Sequence, residues 1–135
     1  MAFTGNYTCN SFKSGLFDGN FDFDTDTIKM ALYTNNATLN ADTAAYTATG
    51  EVSASGYTAG GVTLTVEKGL SNNTAYISFE DATVSASLTA RGALIYKDGG
   101  AAICVLDFGS DKTSTSTFTV TFPTASSADA LIRIS

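Results

Sequence analysis

Three stretches of the chain alternate apolar and polar residues with a period of two. GVTLTVEKG sets Val62, Leu64 and Val66 against Thr63, Thr65 and Glu67. TAYISFED sets Ala75, Ile77 and Phe79 against Tyr76 and Ser78, and TFTVTFP lines up Phe118, Val120 and Phe122. Successive side chains of a strand point to opposite faces, so the pattern predicts half-buried strands. TIKMALYT extends it upstream, with Ile28, Met30 and Leu32 on one face and Lys29, Ala31 and Tyr33 on the other. AAICVLDFGS is apolar on both sides, as a central strand would be. Around these runs stand turn formers: Gly60-Gly61, Lys68-Gly69, Ser71-Asn72-Asn73 and Asp98-Gly99-Gly100. Pro123 ends one strand, since proline cannot donate to a ladder, and ALIRIS supplies a last one. About seven or eight short strands at such spacing predict an all-β fold, a single β-sandwich. Jelly-roll and immunoglobulin-like strand orders fit this pattern equally well.

Two segments fall outside the alternation. In TCNSFKSGLFDG, Phe12, Leu16 and Phe17 lie at helical spacing, with Asn10 or Ser11 as the cap and Asp18-Gly19-Asn20 as the stop. Gly15 weakens such a helix by about 1 kcal/mol relative to alanine. Residues 34–55 are small and polar and predict a long loop, anchored by Leu39 and Tyr46. At 135 residues the chain suits one domain, read as an N-terminal arm over residues 1–20 and a β-sandwich over residues 21–135.

The residue types present restrict the chemistry. No histidine occurs, which removes Ser-His-Asp and Cys-His triads and the common zinc and iron ligand sets. The glycine pairs lack the lysine and spacing of a phosphate loop. Nothing selects a carboxylate pair for acid/base work, so the expectation is a protein that is not an enzyme and takes no cofactor. Seven scattered basic residues and a net charge of −6 argue against nucleic acid. No apolar run reaches the roughly 18 residues of a membrane span, and the start shows no leader pattern, which predicts synthesis in a cytoplasm. Cys104 sits in the most apolar strand and reads as a buried hydrophobe; Cys9 lies in a polar segment and is expected nearer the surface.

The run FDGNFDFDTDTI concentrates Asp18, Asp22, Asp24 and Asp26. Asp22-x-Asp24-x-Asp26 matches the first half of a calcium loop, but Thr27 stands where that loop needs glycine and Tyr33 where it needs a bidentate glutamate. A strand explains the same letters, with Phe21 and Phe23 inward and Asp22, Asp24 and Asp26 outward. Arg91, one of two arginines, is expected either to pair with a carboxylate or to contact a partner.

Three segments together, SGLFDGNFDFDTDTIKMALYT, EVSASGYTAGGVTLT and LTARGALIYKDGGAAICVLDFGSDKTSTSTFTVTFP, carry a resemblance. They contain F-K-x-G-L-x-x-G, D-F-D-T-D-T-I-K-x-A-L-Y-T, E-V-x-x-x-G-Y-T-x-G-G and A-x-x-x-L-D-F-G-S-D-K. In this the chain resembles small all-β virion structural proteins of tailed bacteriophages and prophages. The resemblance implies a capsid decoration, or cement, protein on the outer surface of the head. Its partners would be the major capsid protein and copies of itself, as a dimer or trimer. The alternative is a tail or adhesin component that binds a host receptor through long loops such as residues 34–55. It implies no catalytic, metal or cofactor residues. The residues expected to meet a partner are Phe3, Tyr7, Phe12, Leu16 and Phe17 of the arm, the acidic Asp22, Asp24 and Asp26, and Arg91.

Overall fold

A computed structural model describes residues 3–135. It contains ten strands and one helix: β1 (Tyr7–Thr8), α1 (Asn10–Phe17), β2 (Ile28–Tyr33), β3 (Val62–Thr63), β4 (Val66–Ser71), β5 (Thr74–Phe79), β6 (Ala82–Val84), β7 (Thr89–Lys97), β8 (Ala102–Thr113), β9 (Phe118–Val120) and β10 (Ile132–Ile134). The protein is an all-β sandwich with one short helix. A five-stranded sheet, in the order β1-β8-β7-β2-β3, packs against a three-stranded sheet β10-β5-β4 and a two-stranded ladder β6-β9. Every pairing is antiparallel.

The alternation of β2 decides what lies on each side of the large sheet. Ile28, Met30 and Leu32 join Ala93 and Ile95 of β7 and Phe79, Val84, Phe118, Val120 and Phe122 of the opposing strands in one core. Ala31 and Tyr33 face the other way, with Leu94, Tyr96 and Val105. That second face is covered by Phe3 and Cys9 from the N-terminus and by Ala37 and Leu39 from residues 34–55. A sheet buried on both faces explains why β8 shows no alternation in its first half. The segment 34–55 is thus a folded cover. The Thr34 amide donates to Gly50 and the Val52 amide to Leu32, so the segment returns alongside the end of β2.

Two expected features differ. GVTLTVEKG is not one strand: it breaks at Leu64–Thr65, so Val62 pairs in the large sheet with Met30 while Val66 pairs in the opposing one with Phe79. The buried Leu64 keeps the alternation going through this corner, where its amide donates to Ile28. Lys68-Gly69 is not a turn either. Both residues lie inside β4, and the chain reverses at Asn72-Asn73, both left-handed with φ of 51° and 70°. That is the type I′ geometry whose twist suits a hairpin. The Gly60-Gly61 turn does form, and at Gly61 it admits no side chain: φ is +86° and a Cβ would fall 1.8 Å from the Met30 carbonyl oxygen.

Candidate interaction surface

The N-terminal segment contributes β1 and α1 to the same fold. Phe3, Cys9 and Phe12 are buried, Tyr7 is half-buried, and Leu16 and Phe17 are 40% and 94% exposed. The helix forms over the expected residues but is capped differently. Cys9 is the N-cap and gives no side-chain bond. The Ser11 hydroxyl donates to the Ala102 carbonyl at 2.7 Å and the Asn10 amide to Asp42 at 2.9 Å, so both candidate caps tie the helix to its surroundings instead. Helical geometry turns Phe12 inward, and Gly15 lies so close to Phe21 that a Cβ would be 2.7 Å from its ring. Of the five apolar residues expected to meet a partner, Leu16 and Phe17 are exposed, Tyr7 is half-buried, and Phe3 and Phe12 are enclosed.

Phe3 closes the second core from the end of the sheet. Its ring packs where a Cβ on Gly92 would sit, 2.4 Å from Phe3 Cε1. The Arg91 guanidinium lies 6.0 Å from the same ring centroid, donates to Asp107 Oδ1 at 3.1 and 3.2 Å, and reaches Asn35 at 3.2 Å. The side chains of Arg91 and Asp107 are 14% and 11% exposed. Arg91 therefore makes the intramolecular carboxylate pair, the first of its two expected roles.

The acidic run is not a strand. It is a tight turn after α1, closed by its own carboxylates: the Asp22 amide donates to Asp26 Oδ2 at 2.8 Å, the Asp24 amide to Asp22 Oδ1 at 3.0 Å, and the Asp26 amide to the Asp22 carbonyl at 2.8 Å. Asp and Asn side chains commonly offer the backbone this local alternative to a ladder. The phenylalanines still face inward. Phe21 and Phe23 stack 6.0 Å apart, and each meets Phe12 edge-on. Asp24 pairs with Lys68 at 3.0 Å and Asp26 with Lys97 at 3.3 Å. The hydrogen bond from the Asp22 backbone amide, helped by Lys97, holds the pKa of Asp26 below the usual carboxylate value. Among the described residues no group of three or more acidic or cysteine side chains is placed to hold a metal ion.

Both cysteines are free and buried, so Cys9 is not the surface thiol expected. Burial pushes the Cys9 thiol up to about 11, against a smaller opposing effect of Lys13, and raises Cys104 further.

A site missed in the sequence centres on Glu51. One carboxylate oxygen accepts the Tyr46 hydroxyl at 2.5 Å, and the other accepts the Tyr57 hydroxyl at 2.6 Å and the Gly60 amide at 2.8 Å. Tyr96 donates to the Gly60 carbonyl at 2.6 Å and stacks on Tyr46. The hydrogen bond to Glu51, then burial, pushes Tyr46 up to about 12; burial alone leads the shift of Tyr96 to about 12. The cluster pins the covering segment to the sheet. Tyr46 and Tyr57 on either side of Glu51 in a polar stretch were the available signal, but Tyr96 arrives from a separate strand.

Exposed apolar bulk is concentrated elsewhere. Leu70 and Ile134 are 74% and 53% exposed. They sit on one row, Leu70–Ala75–Ile134, because Leu70 pairs with Ala75 and Ala75 with Ile134. The next row, Lys68–Ile77–Ile132, leads into the core. The three-stranded sheet thus runs past the end of the core, leaving an open groove of about 430 Å³ with Phe12 at its floor. Among the described residues no helix is long and apolar enough to cross a membrane. No protein family matches this chain, and neither curated proteins nor solved structures provide a significant match.

Proposed function

We propose that this chain is a virion structural protein of a tailed bacteriophage: a capsid decoration protein that binds the major capsid protein lattice on the outer surface of the head and stabilises it. The motif resemblance motivates the reading. The observation that carries it is Phe17, a large aromatic 94% exposed at the end of a helix whose other aromatic residue is buried. Large side chains that a partner can enclose in a desolvated pocket are what interface hot spots are made from. The proposal assigns no catalytic residue; Glu51, Asp22, Asp26 and Asp107 are engaged by hydrogen bonds and ion pairs within the fold.

The mechanism is physical. Many copies on a symmetric lattice gain avidity, so a modest contact per copy still binds durably. A protein that binds the closed shell and not its dissociated subunits shifts the balance towards the shell. The alternative, a tail adhesin, uses residues 34–55 as its recognition surface. That segment commits Ala37, Leu39 and Val52 to the core, which favours the decoration reading.

Imaging of intact particles tests the proposal. Hundreds of copies on the head, and heads that fail at lower temperature once stripped, are the expected result. A few copies on the tail, or equal resilience with and without the protein, would overturn it.

A further inference from the structure

Most sheet edges here are short. β1 and β3, the edges of the large sheet, have two residues each, and β6, β9 and β10 have three. β4, the outer strand of β10-β5-β4, has six. Because Asn72-Asn73 form a two-residue turn, Ser71 and Thr74 are a mutually hydrogen-bonded pair, and bonding alternates from there. Ser71, Gly69 and Glu67 turn their amides and carbonyls towards β5. Val66, Lys68 and Leu70 turn theirs outward, and among the described residues no backbone bond joins these three to any other segment.

We propose that β4 is a self-association edge: two copies of this chain pair through it, antiparallel, about a two-fold axis at Lys68. A two-fold axis perpendicular to the sheet sets residues of the same facing opposite each other. With the axis at Lys68, Val66 meets Leu70 of the second copy and Lys68 meets its own equivalent. Every outward backbone group of the strand then finds a partner. The exposed Leu70 side chain is covered by Val66 of the second copy, on the face continuous with the core. On the opposite face Glu67 meets Gly69, which has no side chain to oppose it.

A lysine at the centre of an edge strand ordinarily blocks such pairing, and like charges directly opposite destabilise it. Here the Lys68 ammonium carries its own counter-ion, Asp24 Oδ1 at 3.0 Å. The axis therefore brings together two ion pairs, and each aspartate can serve the lysine of either copy. Moving the axis to Glu67 would oppose two glutamates without counter-ions and align the groups already bonded to β5. Moving it to Val66 or Leu70 leaves part of the strand unpaired.

The inference concerns the isolated protein and does not depend on the capsid reading. The full chain should run in light scattering at twice its mass of 14.0 kDa. Lys68→Pro removes one outward amide and no bond to β5, so it should halve that mass with an unchanged circular dichroism spectrum. Hydrogen-bonded antiparallel pairs hold their Cα atoms about 5.5 Å apart, within disulfide reach. Lys68→Cys should therefore give a covalent dimer on mild oxidation. Val66→Cys and Leu70→Cys should stay single separately and cross-link when combined in one chain; the native thiols are buried and do not compete. A wild-type monomer at all concentrations, or no Lys68→Cys dimer, overturns the proposal. A monomer that still decorates heads would overturn it and leave the proposed function standing.

Discussion

The Tyr57 hydroxyl oxygen joins two parts of the chain: it donates to Glu51 at 2.6 Å and accepts the buried Leu32 amide at 2.9 Å. Leu32 is fully buried near the end of β2, so removing that oxygen strands a buried backbone donor. An unsatisfied buried group costs about 1–3 kcal/mol. Tyr57→Phe should lower the unfolding free energy by that amount, read as a lower urea midpoint at unchanged slope. A loss below about 0.5 kcal/mol would mean that the contact does not hold the covering segment to the sheet.

The same cluster predicts alkaline sensitivity. Burial raises Tyr33 and Tyr57 furthest, while Tyr46 and Tyr96 reach about 12. In the unfolded chain these hydroxyls ionise near 10. Between pH 10 and 12 the unfolded state therefore binds fewer protons than the folded one, and stability falls as pH rises. The contribution is complete below pH 10 and is lost through pH 12. Absorbance at 295 nm should show four of the six tyrosines resisting ionisation until the protein unfolds. Six tyrosines titrating together near pH 10 in folded protein would contradict this.

Period two located the strands because successive side chains go to opposite faces: β9 buries one face, and β2, buried on both, sends alternate residues to two different cores. It failed where another force decided the backbone. At Asp22–Asp26 the carboxylates cap their own turn, so an alternating FDFD string became a turn with the phenylalanines still inward. At Leu64–Thr65 the alternation ran on through a corner, because both sheets feed one core. At Cys9 local polarity suggested exposure, yet Phe3 and residues 34–55 close over it. The Glu51 cluster depends on Tyr46, Tyr57 and Gly60 arriving together, which no local pattern encodes. The edge of β4 was hidden for a similar reason: Lys68-Gly69 reads as a turn until the Asn72-Asn73 reversal is known.

Gly92 tests how tightly the N-terminus is held. A Cβ there would fall 2.4 Å from Phe3 and 2.5 Å from the Leu106 carbonyl oxygen, and a carbonyl in a ladder cannot move aside. Gly92→Ala should destabilise the protein by about 1–3 kcal/mol, as overpacking does. Limited proteolysis should then cut ahead of α1, because Phe3 is the group displaced. An unchanged midpoint and an intact N-terminus would argue against this seating of Phe3.

Both thiols should be silent in the folded state. Burial keeps Cys9 and Cys104 protonated at neutral pH, and the thiolate is the reactive form. A thiol reagent at pH 8 should label neither residue in native protein and both in denaturant, with identical gel mobility with and without reductant. Rapid labelling of native Cys9 would show that the cover over it opens.

Phe17 separates a role in binding from a role in folding. Its side chain is 94% exposed and contributes nothing to the core, so Phe17→Ser should change stability by no more than about 0.5 kcal/mol, as surface substitutions do. Leu16→Ser, at 40% exposure, should cost somewhat more. If Phe17 anchors the protein to a capsid subunit, its loss should weaken incorporation into heads at least tenfold, since central aromatic anchors are worth about 2 kcal/mol or more. Avidity multiplies the effect across copies, so occupancy should collapse over a narrow concentration range. Normal incorporation of a stable Phe17→Ser protein would remove the helix end from the interface. Charge reversal at Asp22, Asp24 and Asp26 would then test the neighbouring acidic turn, with circular dichroism separating a loss of binding from loss of the turn that these carboxylates close.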